Sequence, residues 1–335
     1  MNKSTNFMFM TMIIVSVMFS ISSNSWLMVW MGMEINMMSF MPMIMEQKNM
    51  NSKESALTYF LVQTIASMLL LMSMIIMYYN NDIKYENNMG ELMLLSSLMM
   101  KSGISPFHFW MPKTMEGMNW NKCLILMTLQ KITPLMMISN IITINMITIS
   151  AMMMSVFIGA IGGLNQTSLR KLMAYSSISN NGWMMLAMMM SENMWMMYFL
   201  MYTLMTTIMT MSMKMYNILH MNQMMSMNES IYMKFMLMMN MLSISGLPPM
   251  MGFIPKWMVI QSSVNLNSLM LTGMMVMLTL ITIYYYLRMM YSTLMLTSME
   301  PKWNNMNMNK MTKMMPAAMM SIMGMSLITM MLSLY

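Results

Sequence analysis

The chain has 335 residues, of which 58% are hydrophobic and only 8% are charged, against about 25% charged residues in an ordinary soluble protein. So few charges cannot form the polar shell that a soluble globule needs, and so apolar a composition excludes a disordered chain. The net charge of +7 comes from basic residues scattered singly between apolar runs, which excludes the clustered basic face of a nucleic-acid-binding protein. The single cysteine, Cys123, rules out an internal disulfide and a multi-cysteine metal site.

Apolar stretches of about 20 residues, the length of a helix that crosses a bilayer core, recur along the whole chain. We predict an all-α, polytopic membrane protein with eleven transmembrane helices and no soluble domain. A β-barrel is excluded because the continuous Met, Leu and Ile runs do not alternate with polar residues. In chain order the predicted spans are 7–22, 25–45, 56–79, 91–110, 122–144, 146–163, 172–190, 194–213, 235–262, 269–289 and 314–334.

The basic residues of the loops predict the orientation, because Lys and Arg collect on the side of the membrane where a protein is made. With eleven spans, one face holds thirteen basic residues and the other holds only Lys84, beside Asp82, Glu86, Glu91 and Glu192. The N-terminus is therefore predicted on the side of synthesis and the C-terminus on the opposite side. The thirteen residues are Lys3, Lys48, Lys53, Lys113, Lys122, Arg170, Lys171, Lys214, Lys234, Arg288, Lys302, Lys310 and Lys313.

Four charged residues, Glu34, Lys101, Lys131 and Lys256, lie inside predicted spans. Glu34 and Lys131 lie about 13 Å, and Lys101 about 15 Å, from the start of their helices, which is near the middle of a core about 30 Å thick. Each such charge costs about 3 kcal/mol on insertion scales. A cost of this size indicates a functional site.

Interhelical ion pairs, or lysines that reach lipid headgroups, are the alternative interpretation of these charges. One carboxylate cannot neutralise three lysines, so at least two of the lysines are hydrated, neutral or share a proton. Burial disfavours the charged form of a lysine and a nearby carboxylate favours it, so a change in the distance to Glu34 can load or unload a proton. Lys131, which lies beside Pro134 in the fifth span, is placed to act as a relay between two halves of the chain.

Two of the lysines lie in sequences that break a helix. Lys101 is followed by Ser-Gly-Ile-Ser-Pro, and Lys256 follows Gly-Leu-Pro-Pro-Met-Met-Gly-Phe-Ile-Pro. Proline removes a backbone hydrogen bond, and unpaired backbone at membrane depth is tolerated only where it is buried in protein or lines a watery cavity. Broken helices are therefore predicted at 91–110 and 235–262, with a simple packing kink as the alternative.

The two predicted breaks occupy equivalent positions, in the fourth of spans one to five and in the fourth of spans six to ten. Two units of five spans face opposite ways because five is odd, which gives the inverted repeat found in many ion-moving folds. The prediction is one transmembrane domain, 1–335, made of a first repeat (7–144), an inverted second repeat (146–291) and a loop with a C-terminal helix (292–335).

Three segments of this sequence resemble the antiporter-like membrane subunits of respiratory complex I, the NADH:ubiquinone oxidoreductase. They are KSGISPFHFWMP (101–112), LRKLMAYSSIS (169–179) and GLPPMMGFIPKW (246–257). The resemblance covers essentially the whole chain, and eleven spans instead of the fourteen of bacterial relatives are typical of the animal mitochondrial form.

The resemblance implies a role for each intramembrane charge. Glu34 and Lys101 form a modulating pair, Lys131 is the central relay, and Lys256 faces the next pumping subunit. His108 is implied as part of the proton path. The alternative is that His108 anchors the end of its span at the membrane interface together with Trp110.

The resemblance also implies proton translocation coupled to electron transfer from NADH to ubiquinone in the mitochondrial inner membrane. It places the N-terminus in the matrix and the C-terminus in the intermembrane space. The neighbours would be other membrane subunits, especially antiporter-like subunit 4 and small subunit 4L, and lipids, with no nucleic acid. NADH, FMN, iron–sulfur clusters and ubiquinone would be bound elsewhere, because this sequence has neither a dinucleotide-binding glycine motif nor a cysteine ligand set; no metal site is predicted.

Two other functions are compatible with the same pattern. One is a cation/proton antiporter that acts alone or as a subunit of the Mrp type, whose fold is similar. The other is a structural membrane subunit in which the buried polar groups only hold helices together.

Overall fold

The computed structural model describes residues 3–46, 49–79, 87–227, 231–265 and 268–295, together with residues 319, 321 and 323. These residues form α-helices and no β-strand, as predicted for an all-α protein. The helices are α1 (Lys3–Ser22), α2 (Trp26–Ile44), α3 (Met50–Tyr79), α4 (Asn87–Ser102), α5 (Trp110–Gly117), α6 (Trp120–Met127), α7 (Leu129–Ile141), α8 (Met146–Gly163), α9 (Leu169–Met190), α10 (Glu192–Tyr216), α11 (Met221–Met225), α12 (Ile231–Ser245), α13 (Phe253–Asn265) and α14 (Leu269–Leu294).

Within the described residues, seven helical segments are long and apolar enough to cross a membrane: α1, α2, α3, α6 with α7, α8, α10 and α14. Each coincides with a predicted span. The predicted span 172–190 corresponds to α9, and the predicted spans 91–110 and 235–262 each correspond to two shorter helices. The eleventh predicted span, 314–334, lies outside the described residues apart from three positions. The chain is a multi-pass membrane protein.

The helices form two compact units, Met1–Ala151 and Met152–Tyr335, and the boundary falls inside α8. In the first unit, α2 packs against α1 and α3, α3 packs against α4 and α5, and α7 contacts α1 and α4. In the second unit, α9 packs against α10 and α13, and α12 packs against α10 and α14.

Helix α3 has the reverse of the polarity of a helix in a soluble protein. One face, which includes Leu57, Leu61, Ile65, Met68, Met72 and Ile75, is apolar and more than half exposed. The opposite face is buried and carries Ser52, Ser55, Tyr59, Gln63, Ser67 and Ser73. A helix that turns apolar side chains outward and polar side chains inward fits a surrounding of lipid, where an apolar surface needs no cover.

Helix α9 is buried along most of its length although it is among the more polar helices. Ser176, Ser177, Ser179, Asn180 and Asn181 all lie inside the second unit. Close contact with α8 is possible because both helices carry glycine: a Cβ at Gly159 would lie 2.7 Å from Ser179, and a Cβ at Gly182 would overlap Ser155. The polar residues therefore face protein, which explains why a hydropathy criterion alone does not select α9.

Candidate functional site

The first predicted helix break is present, and Lys101 lies in the last turn before it. Helix α4 ends at Ser102, and Gly103 has a left-handed backbone with φ of +72°. The Gly103 N–H donates to the Met100 carbonyl and the Ile104 N–H donates to the Met99 carbonyl, at 3.4 and 3.0 Å. This is a Schellman cap, which glycine favours at its left-handed position. The break places the Lys101 ammonium near the negative end of the α4 dipole.

The second predicted break is also present, and Lys256 bridges it. Helix α12 ends at Ser245, Gly246 has φ of +81°, and α13 begins at Phe253. The Lys256 Nζ, in the first turn of α13, donates to the Ser245 carbonyl oxygen at 2.7 Å. The lysine thereby satisfies a carbonyl that the end of α12 leaves without a helical partner.

Lys131 lies just after an interruption of the backbone that the sequence analysis did not predict. Helix α6 ends at Met127, and Thr128 has φ of −113° and ψ of −79° before α7 begins. The Thr128 hydroxyl donates to the Leu124 carbonyl at 2.8 Å, a bond that bends helices. Pro134 removes a further backbone donor one turn later. All three intramembrane lysines therefore lie beside irregular backbone.

Lys101 and Lys131 line the same cavity in the first unit. Both side chains are buried, with exposed fractions of 8% and 2%. The centre of a water molecule can occupy a volume of about 20 Å³ in this cavity, so the cavity has room for one or two waters. Its remaining polar lining comes from α2, α3, α4 and the α6–α7 segment: Asn36, Tyr59, Gln63, Ser102, Gln130 and Thr133.

Three uncharged side chains form a hydrogen-bonded chain along this cavity. The Tyr59 hydroxyl donates to Gln130 Oε1 at 3.1 Å, and Gln130 Nε2 donates to Asn36 Oδ1 at 2.8 Å. These two hydrogen bonds join α3, α7 and α2. Nearby, Gln63 Nε2 contacts the Lys101 carbonyl oxygen at 3.4 Å.

Glu34 lies on α2 close to this cavity, and in this structure it does not form a direct ion pair with Lys101. The Lys101 Nζ instead contacts the Met33 sulfur at 3.7 Å. The ion pairs of the described residues include Lys113–Glu54 and Lys122–Glu46. The Glu34 Oε1 atom is buried and has no hydrogen-bond partner among the described residues. Its α2 neighbours Met33, Asn36 and Met37 line the cavity.

His108 lies inside the first helix break, where it is 4% exposed and its Nδ1 lies 3.2 Å from the Pro106 carbonyl oxygen. The alternative interpretation paired it with Trp110 as an anchor at the membrane interface, and for Trp110 this is wrong. The Trp110 indole is 8% exposed, lines the cavity, and donates its Nε1–H to the Met100 carbonyl oxygen at 3.1 Å. The ring is held inside because it satisfies a carbonyl in the last turn of α4.

The second unit contains another small cavity, beside its helix break, with a mostly apolar lining and a few polar side chains. It also offers about 20 Å³ and is lined by residues of α9, α10, α12 and the break, including Asn180, Tyr198 and Ser243. The Tyr198 hydroxyl donates to Asn180 Oδ1 at 3.1 Å. The neighbouring Pro255 also lines this cavity, whereas Lys256 itself turns to the α12 carboxyl end.

Sequence reasoning identified the charges of the first unit but missed Asn36, Tyr59 and Gln130. A usable signal is present, because uncharged polar side chains inside an apolar span are also costly unless they find partners. Tyr59 and Gln63 are four residues apart and so share one face of α3, and Gln130 directly precedes Lys131.

The model of the NADH:quinone oxidoreductase/Mrp antiporter transmembrane family matches residues 23–282 of the chain. The chain belongs to this family. It is similar to proteins named NADH-ubiquinone oxidoreductase chain 2 from Anopheles gambiae, with 46% identity over 93% of each chain, and from Aedes aegypti, with 47% identity over 98% of each chain.

Membership of the NADH:quinone oxidoreductase/Mrp antiporter family confirms the resemblance drawn from the three motifs. Among solved structures, a chain of respiratory complex I from Thermus thermophilus superposes with a TM-score of 0.83 and 19% identity, over 96% of this chain and 78% of that chain. At this identity the likeness concerns the fold alone. The two chain 2 relatives cover nearly the whole sequence, which favours the respiratory subunit over the free-standing antiporter.

Proposed function

We propose that the chain is a proton-translocating core membrane subunit of respiratory complex I, the NADH:ubiquinone oxidoreductase. The observation that carries this proposal is the cavity of the first unit, where two buried lysines line a space that accommodates water. Lysine is suited to this chemistry because its ammonium can release a proton and its flexible stem can move the group that carries it. The family and the chain 2 relatives of this protein are named for NADH:quinone oxidoreduction, and such a site would be coupled to that electron-transfer reaction.

The proposed relay uses the four intramembrane charges. A change in the Glu34–Lys101 interaction moves a proton between Lys101 and Lys131, and Lys256 serves as the terminal carrier. The Lys101 contact with Met33 supports this role, since Met33 directly precedes Glu34 in α2. His108, in the first helix break, is proposed as an accessory group of the path.

The proposed setting is the mitochondrial inner membrane, with eleven spans in two inverted five-helix repeats. The N-terminus would face the matrix and the C-terminus the intermembrane space. Neighbouring antiporter-like subunit 4 and small subunit 4L are the proposed partners. NADH, FMN, iron–sulfur clusters and ubiquinone would be bound by other subunits, so this chain would contribute proton transfer and no redox centre.

Replacement of Lys131 by alanine tests the relay in the assembled complex reconstituted into vesicles. The Lys131→Ala variant is expected to lose proton translocation per electron, because it removes a titratable group from the cavity. Lys113→Ala is the control, since Lys113 is exposed and pairs with the exposed Glu54. Full quinone reduction with an unchanged proton-to-electron ratio in Lys131→Ala would exclude the central relay.

The antiporter alternative makes a different prediction for the isolated chain. A respiratory subunit is expected to fractionate only with a large NADH-oxidising particle. Restoration of sodium resistance by this chain expressed alone would support the antiporter instead.

A further inference from the structure

We infer that Gln130 is a positioning residue for proton transfer in the first unit, where Tyr59 and Asn36 fix its amide and the amide orients water between Lys101 and Lys131. The inference rests on the proposed function and adds to it a residue that carries no charge. Its basis is the shared cavity and the two hydrogen bonds of the Gln130 side chain.

The two bonds fix which way the amide points. Gln130 Oε1 accepts from the Tyr59 hydroxyl, and Gln130 Nε2 donates to Asn36 Oδ1. A rotation of the Gln130 amide by 180° would place its Oε1 against Asn36 Oδ1, two acceptors facing each other, and the bond to Asn36 would be lost. An amide has two N–H groups and two acceptor positions, so these bonds leave one donor and one acceptor for water. Water beside Gln130 therefore has one amide donor and one amide acceptor in fixed positions.

An amide suits this position because it does not titrate. Lys101 and Lys131 change their protonation in the proposed relay, and a carboxylate in the place of Gln130 would pair with whichever lysine is charged and hold the proton there. Gln130 keeps the same donors and acceptors in every protonation state of its neighbours. Gln130 and Lys131 both line the cavity, so the amide and the central lysine share one space.

A purely structural cross-link among α2, α3 and α7 is the competing explanation, and Tyr59 allows a test between the two. Tyr59 packs edge-on against Phe40 and Trp110, with ring centroids 5.3 and 5.9 Å apart. Phenylalanine at this position keeps those ring contacts and removes only the hydroxyl that holds Gln130. Gln130→Leu removes the amide itself while keeping a side chain of similar size.

The experiment compares Tyr59→Phe and Gln130→Leu with wild type in the assembled complex in vesicles. Proton translocation and quinone reduction are measured in H₂O and in D₂O, and NADH oxidation by a soluble artificial acceptor measures the amount of complex. Both variants are expected to slow proton-coupled turnover about fivefold, the factor that corresponds to one lost hydrogen bond, and to increase the solvent deuterium isotope effect. Tyr286→Phe, an equally buried tyrosine of the second unit, is the matched control with an unchanged isotope effect.

The outcomes separate this inference from the proposed function. If Lys131→Ala abolishes proton translocation while Tyr59→Phe and Gln130→Leu lower only the amount of complex, with wild-type turnover and isotope effect per complex, Gln130 is structural and the inference is wrong. If Lys131→Ala also leaves proton translocation intact, the proposed relay fails. Slower turnover with a larger isotope effect in both Tyr59→Phe and Gln130→Leu supports the positioning role.

Discussion

Gly252 and Lys256 determine the geometry of the second helix break through single-residue contacts. The Gly252 backbone lies so close to the end of α12 that a Cβ would overlap the Ser243 carbonyl oxygen. Lys256 passes on the other side of the turn, where a Cβ at Gly246 would lie 3.0 Å from its Nζ. Gly252 leaves no room for a side chain, and Gly246 has a left-handed backbone that other residues rarely adopt, so the turn between α12 and α13 favours glycine at both positions.

Gly252→Ala is therefore expected to destabilise the chain by about 1–3 kcal/mol, because the added methyl group forces the backbone of α12 away. The measurement is the midpoint of thermal unfolding of the purified complex, monitored as the loss of this chain from the complex. Gly273→Ala provides the matched control, since nothing lies within 4 Å of a Cβ at Gly273 in α14. Equal midpoints for the two alanine variants would contradict the close packing at Gly252.

Single residues also show why the charges of the site could be predicted from the sequence and the uncharged polar residues around them could not. Each of Glu34, Lys101 and Lys131 stands out in an apolar run because an intramembrane charge is costly. Amide and hydroxyl groups are common in these spans, and many bond to their own helix, as Ser97 does to the Leu94 carbonyl. Only the packing of α2, α3 and α7 distinguishes Gln130 from such residues.

Helix ends in the first unit are joined by a polar cluster around Glu46, which follows α2. Its Oε1 accepts hydrogen bonds from Lys122 Nζ at 2.5 Å and from Asn119 Nδ2, and its Oε2 accepts from Asn49 Nδ2 at 3.0 Å. The Glu46 N–H donates to Ser52 Oγ in α3. One carboxylate thus connects the end of α2 with the starts of α3 and α6.

Glu46→Gln is expected to lower the free energy of unfolding by about 1 kcal/mol, because it removes the charge from a partly buried pair whose side chains are 31% and 16% exposed. The control is Glu54→Gln, whose pair with Lys113 is mostly exposed and is expected to add nothing measurable. Thermal unfolding of the complex at low and high salt measures both. A loss of stability as large for Glu54→Gln as for Glu46→Gln would argue against the cluster.

At the level of elements, glycine and proline made the two breaks predictable. Gly103 and Gly246 have left-handed backbones that end α4 and α12, within the segments predicted to break. The interruption at Thr128 carries no such signal, since threonine occurs throughout these spans. It depends on a side chain that bonds to its own helix one turn back, a choice that the sequence leaves open.

For the whole molecule, the proposed orientation depends on the distribution of loop charges, and α9 allows it to be tested. Basic residues Arg170 and Lys171 are at its start, and Glu192 follows its end. The positive-inside tendency therefore assigns these two ends to opposite sides of the membrane. The native thiol does not interfere, because Cys123 is fully buried.

Cysteines introduced at the exposed positions 165 and 193, as Asn165→Cys and Asn193→Cys, should react with a membrane-impermeant maleimide from opposite sides. Position 165 is expected to react only from the matrix side and position 193 only from the intermembrane side. Wild type, with Cys123 alone, is the unlabelled control. Labelling of both positions from one side would contradict a membrane crossing by α9.

The architecture as a whole was predictable to different depths. The apolar runs specify an all-helical membrane protein because no other fold of this composition satisfies its backbone in lipid. The burial of α9 was not evident, since its Ser and Asn residues lower its hydropathy, and only contacts such as Gly159 with Ser179 reveal a helix surrounded by protein. Prediction of a span from the sequence measures how apolar the segment is, whereas an interior helix of a membrane protein is held by its packing against other helices.

The hydrogen bond from Lys256 to the end of α12 also links the protonation of this lysine to the opening of the turn between α12 and α13. An ammonium at a helix carboxyl end interacts with the dipole more strongly than a neutral amine does, so the state of this proton and the closure of the turn share a free energy. Such coupling is reciprocal by thermodynamic necessity. A force that opens the turn changes the proton affinity of Lys256, and protonation of Lys256 resists that opening by the same amount of work.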